Sequence, residues 1–97
     1  MMFIINGMKY DTEKMELITD VKKWYRLNYT FTIFGKEVGK VYKCHLWKSK
    51  KGNWLLTHER DDGEKEGEAI EEEEAKNLLL RHEPSKYEEL FEEIPEA

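Results

Sequence analysis

The hydrophobic period of this chain changes once. Before about residue 60, apolar side chains recur at every second position; after residue 70 they recur at every third and fourth. Strands followed by helices make an α+β protein: an N-terminal hairpin, a three-stranded antiparallel meander, and two C-terminal helices packed on one face of the sheet. With 97 residues, 39% of them hydrophobic, there is material for one core and not for two. The expected organisation is a single domain, 1–97, with a strand-rich basic half (1–60), an acidic linker (61–68) and an acidic helical tail (69–97).

Asn6-Gly7 lies between two short apolar runs, Phe3 to Ile5 and Met8 to Tyr10. Both residues tolerate positive φ, so the pair predicts a type I′ hairpin. Asp11 or Thr12 can cap a short helix after it. Leu17, Val21 and Trp24 fit a helical stripe, while Thr19, Val21 and the aromatics fit a strand, so that segment is open between the two. The clearest alternation runs from Leu27 to Ile33. Gly35 to Gly39 then turns the chain, a second strand covers about Lys40 to Lys48, Ser49 to Gly52 turns it again, and a third covers Asn53 to Arg60.

A four-residue last turn would set Trp47 against Trp54, His45 against Leu56 and Lys43 against His58. A five-residue first turn would set Ile33 against Val41, Phe31 against Lys43 and Tyr29 against His45. The core face would then carry Leu27, Tyr29, Phe31, Ile33, Val41, Trp47, Trp54 and Leu56. A slip of one residue in either turn exchanges the two faces.

Asp61 to Glu68 contains no apolar residue and reads as an acidic surface loop. Ala75, Leu78, Leu79 and His82 then form one helical stripe from about Glu71 to His82, with Glu71 to Glu74 in the first turn and Arg81 in the last, as the helix dipole favours. Pro84 ends that helix. Ser85 and Glu88 have capping-box spacing, and Tyr87, Leu90, Phe91 and Ile94 make the stripe of a second, shorter helix.

Little of this carries reaction chemistry. Cys44 is the sole cysteine, which excludes an internal disulfide or a cysteine zinc site and agrees with a reducing, cytoplasmic compartment. Cys44 and His45 point to opposite faces of one strand, and Lys43, His45 and His58 on the core face more commonly pack at a sheet margin than bind metal. Asp61-Asp62-Gly63-Glu64 lacks the alternating ligands of a calcium loop. No phosphate-binding glycine loop or nucleophile turn occurs, and no apolar run is long enough to cross a bilayer. A non-enzymatic protein without cofactor is expected.

Charge is more informative. Residues 1–58 carry 11 Lys+Arg against 5 Asp+Glu, and residues 59–97 carry 5 against 16. Such a dipole orients encounters with charged partners. The acidic surface (Asp61, Asp62, Glu64, Glu66, Glu68, Glu71, Glu72, Glu73 and Glu74) can imitate a phosphate backbone and occupy a basic groove, although most acidic helices are merely solvated. Lys43, Lys48, Lys50 and Lys51 around Tyr42, Trp47 and Trp54 form a basic aromatic hairpin that could hold nucleic acid, although lysines also guard hairpin tips against edge pairing. A homo-oligomer through the mixed second sheet face is a third use.

Three segments resemble small proteins of Gram-positive phages and mobile elements: Ile4-Ile5-Asn6-Gly7-Met8-Lys9-Tyr10-Asp11-Thr12, Leu46-Trp47-Lys48-Ser49-Lys50-Lys51-Gly52-Asn53-Trp54-Leu55-Leu56, and Glu73-Glu74-Ala75-Lys76-Asn77-Leu78-Leu79. The third departs from the pattern, since Ala69 and Ile70 stand where a Ser or Thr helix cap belongs. The resemblance implies a setting in which compact proteins, anti-CRISPR inhibitors among them, block host defence nucleases by filling their nucleic-acid channels. The expected partner is therefore a basic protein surface, such as that of a CRISPR effector nuclease, ahead of nucleic acid itself, with no membrane involved.

Overall fold

The computed structural model describes residues 1–27 and 38–97. Its elements are β1 (Met2–Ile5), β2 (Met8–Asp11), a 3-10 turn (Thr12–Lys14), β3 (Glu16–Arg26), β4 (Gly39–Lys48), β5 (Trp54–Glu59), β6 (Lys65–Ile70), α1 (Glu72–His82) and α2 (Pro84–Leu90). β1 and β2 form a hairpin by themselves, and β3-β4-β5-β6 make an antiparallel sheet in that order. The α+β class and the two C-terminal helices agree with expectation; the sheet has four strands where three were expected.

Asn6 (φ 51°) and Gly7 (φ 76°) turn the first hairpin as a type I′ pair, and the Asp11 carboxylate accepts from Glu13 N–H to cap the following 3-10 turn. Two strands alone are marginal in water, so this hairpin needs a surface to dock on. It docks Phe3 against Gly67 of β6, where a Cβ would come within 2.6 Å of the ring. The open choice for Leu17 to Trp24 resolves as strand β3, whose edges pair with β4 from Glu16↔Lys48 to Arg26↔Gly39 with a bulge between Leu17 and Thr19. The expected strand from Leu27 to Ile33, and with it the register of the first turn, lies almost wholly outside the described residues.

Two turns explain the remaining corrections. Ser49 N–H donates to Asn53 O and Gly52 N–H to Ser49 O, with Gly52 at φ 88°. A three-residue loop closed by a left-handed glycine replaces the four-residue one, so β4 slips by one: Trp47 opposes Leu55, Leu46 opposes Leu56 and Cys44 opposes His58. The slip exchanges the faces of β4. Tyr42, Cys44 and Leu46 are in the core, while Val41 is 55% exposed and Trp47 lies on the outer face, contrary to the expected core; Trp54 and Leu56 are buried as expected.

Arg60 and Glu64 close an identical loop, with Gly63 at φ 87°, and the chain returns as β6. The expected linker is thus a tight turn and a strand. Its alternation was invisible because one side of β6 carries Glu66 and Glu68, which meet cations, and the other carries Gly67, which receives Phe3.

Ala75, Leu78 and Leu79 of α1 seal the core formed by Ile18, Val21, Tyr42, Cys44, Leu46, Trp54 and Leu56, and Tyr87 and Leu90 of α2, with Phe91 at its C-cap, pack against it. Phe91 stacks near Trp54, ring centroids 6.1 Å apart. Glu71 is the N-cap of α1 and its side chain makes no cap hydrogen bond, as the missing Ser or Thr foretold. The expected capping box at Ser85 is absent. Pro84 occupies the first turn of α2, Ser85 Oγ donates to Glu83, and Glu88 accepts from Ile94 N–H. Pro84 cannot donate a backbone hydrogen bond and fits the first turn, which moves the helix start one residue upstream of Ser85. No helix among the described residues is long and apolar enough to cross a membrane.

Candidate functional site

The sheet separates two surfaces of different chemistry. On the helical side, many of the carboxylates expected to face a partner are held by cations of the same chain. Glu68 accepts from Lys23 Nζ at 3.1 Å and from the Tyr25 hydroxyl at 3.1 Å, and Glu74 meets the same Lys23 at 3.4 Å. Asp61 pairs with Lys40 at 2.7 Å and accepts from the Tyr42 hydroxyl. Asp62 and Glu66 share Arg60, at 2.7 and 3.0 Å, and Glu66 also lies 3.6 Å from His58.

The electrostatics follow from these contacts. Burial works to lower the Lys23 pKa, yet Glu68 and Glu74 outweigh it and hold the ammonium above its ordinary value. Lys40, hydrogen-bonded to Asp61, keeps that carboxyl low; Glu64 N–H and Arg60 do the same for Asp62. Burial pushes the Tyr25 hydroxyl and the Cys44 thiol up, so both are neutral at physiological pH.

The four other acidic residues differ. Glu64 at the β5-β6 turn, Glu71 at the N-cap of α1, and Glu72 and Glu73 in its first turn are exposed and form no ion pair among the described residues. The nine-residue acidic surface therefore divides into five internally compensated carboxylates and four that face solvent.

The hairpin cations also divide. Lys43 and Trp47 lie on the outer sheet face, Lys48 sits over the Trp54 ring on the helical side at 5.3 Å, and Lys50 and Lys51 occupy the turn. These five do not form one surface. Lys43 and His45 both contact Asp20, whereas His58 is buried across the sheet, its ring 4.3 Å from that of Tyr25. The expected grouping of Lys43, His45 and His58 on one core face is thus corrected by the same one-residue slip. Cys44 is fully buried on the face opposite His45. Among the described residues no group of three or more His, Cys, Asp or Glu is placed to hold a metal.

Sequence reasoning missed Lys23 and Tyr25 as partners of the acidic strand, and Lys22 and Trp24 as neighbours of Lys43. The run Lys22-Lys23-Trp24-Tyr25 was the available signal. Strand period sends its members alternately to the two faces, which only a settled strand assignment reveals.

No protein-family model matches the chain, and neither a curated protein nor a solved structure matches it.

Proposed function

We propose that this protein is a non-enzymatic, stoichiometric inhibitor that seats its acidic helical side in a basic nucleic-acid-binding groove of a nuclease, of the kind CRISPR effectors possess. The observation that carries this reading is the set of uncompensated carboxylates Glu71, Glu72 and Glu73, exposed together at the start of α1 while Lys23, Lys40 and Arg60 are engaged with Glu66, Glu68, Glu74 and Asp61. Residues 71–97 carry ten acidic side chains against three basic ones, so the field around α1 and α2 is negative. Such a field steers the protein toward a positive groove, and it excludes the phosphate backbone that would otherwise occupy that groove.

The same three glutamates also favour the helix dipole, so their removal has a small structural component of about 0.3–1 kcal/mol each. An inhibition assay separates the two effects. Target cleavage by a purified RNA-guided DNA nuclease is measured against increasing protein, wild type and Glu71→Gln/Glu72→Gln/Glu73→Gln, with folding of both checked by circular dichroism. Wild type should inhibit at near-equimolar ratio and the folded triple variant should inhibit at least tenfold less. Equal inhibition by both proteins, or none by wild type at low salt, overturns the reading.

A further inference from the structure

We infer that the outer face of β3 and β4 binds single-stranded nucleic acid, by stacking bases on Trp24 and Trp47 and holding phosphates with Lys22 and Lys43. This goes beyond the inhibitor reading, uses the opposite side of the sheet and stands or falls separately.

Register places these residues together. Trp24 opposes Val41, Lys22 opposes Lys43, Asp20 opposes His45 and Leu17 opposes Trp47, all on the face away from the helices. The N-terminal hairpin covers the β6 side of that face through Phe3, and Met1 and Thr12 at its end border the groove beside Trp47. Leu17 is 50% exposed, Trp24 48% and Val41 55%. A row of large apolar side chains on one face marks an interaction surface, since scattered exposure would not align across two strands.

The indole of Trp24 is seated in a particular way. A Cβ at position 39 would fall 1.9 Å from its Cζ2, so the ring occupies the space above Gly39 that any other residue would fill. One side of the indole is thereby supported on backbone while the ring remains half exposed, the arrangement of a stacking platform. Trp47 is held differently, its Nε1–H donating 2.9 Å to Thr57 Oγ1. It borders a groove of about 370 Å³ lined also by Met1, Thr12, Lys43, His45, Glu59 and Lys65.

Charge selects the occupant. Lys22 forms no ion pair among the described residues, and Lys43 is 70% exposed beyond its contact with Asp20. Lysines between two indoles suit an anionic chain that also offers flat π-faces, which is the chemistry of single-stranded nucleic acid. In a duplex the bases are stacked on one another and unavailable to Trp24. Asp20 is the carboxylate that Lys43 and His45 engage, and its removal frees both; Glu59, at the Trp47 groove, is paired with Lys65 at 3.1 Å.

The test is fluorescence anisotropy of a labelled single-stranded oligonucleotide of about ten nucleotides, within the site size of such surfaces. Binding should be detected at low salt, with a log–log salt slope of about −1.4 for two neutralised phosphates. Trp24→Ala and Lys22→Glu/Lys43→Glu should each weaken it at least tenfold, and Asp20→Asn should strengthen it. Gly39→Val keeps Trp24 but displaces its ring, and should weaken binding like Trp24→Ala while the urea midpoint verifies folding. No complex at low salt, an equal affinity for duplex of the same length, or unchanged binding in folded Trp24→Ala overturns the inference. Glu71→Gln/Glu72→Gln/Glu73→Gln should not reduce this binding, which keeps the failure of either reading distinct.

Discussion

Gly67 shows how one absent side chain shapes the molecule. Phe3 can lie on β6 only because no Cβ stands between them, and this contact fixes where the N-terminal hairpin meets the main sheet. Gly67→Ala should therefore cost about 1–3 kcal/mol by overpacking, read as a lower urea midpoint. If the hairpin merely rests on the surface, the midpoint will not move. Asp20 supplies a pH-dependent prediction. Its hydrogen bond from His45, with Lys43 alongside, holds its pKa below the ordinary value of about 3.9 despite some desolvation. A folded-state pKa below the unfolded one gives stability that is present above the unfolded value and lost as pH falls through the folded value. The urea midpoint of wild type should fall between pH 5 and pH 3 more than that of Asp20→Asn. Identical slopes would remove Asp20 from the account.

At the scale of elements, β6 is the strand that ties the acidic stretch to the sheet, and Lys23 is what it is tied to. Lys23 is 26% exposed and bridges Glu68 to Glu74, so Lys23→Met leaves two neighbouring carboxylates uncompensated. A loss of about 1 kcal/mol at pH 7 is expected, intermediate between exposed and buried pairs, and it should shrink at high salt, which screens the partly exposed pair. Chemical denaturation at low and high salt checks this; a loss independent of salt would mean that packing of the lysine stem matters instead. Elements announced by period were legible in the sequence: the Asn6-Gly7 hairpin, β4, β5 and the α1 stripe of Ala75, Leu78 and Leu79. Elements whose logic is pairwise were not. β6 has Glu where a buried strand has Val or Ile, because its partners Lys23, Arg60 and Tyr25 come from elsewhere in the chain. The β4 register turned on Gly52 taking a left-handed conformation, a difference of one residue in loop length that composition does not disclose. Of the candidate acidic surface, the exposed Glu64 and Glu71 to Glu73 were readable as charge; the pairing of the other five required the fold.

For the whole molecule, the sheet is a partition between the negative helical layer and an outer face bearing Lys22, Lys43 and two tryptophans. Net charge of −5 conceals this arrangement, because a partner meets one side at a time. A single titration addresses the inhibitor reading: affinity for a guide-free RNA-guided nuclease, measured by biolayer interferometry at 50 and 300 mM salt. Glu71→Gln/Glu72→Gln/Glu73→Gln is compared with Lys22→Glu/Lys43→Glu as the opposite-face control. The account predicts binding that weakens with salt, falls at least tenfold in the glutamine variant and is unchanged in the lysine variant. Binding indifferent to salt, or lost through the lysines while the glutamine variant binds like wild type, would contradict it.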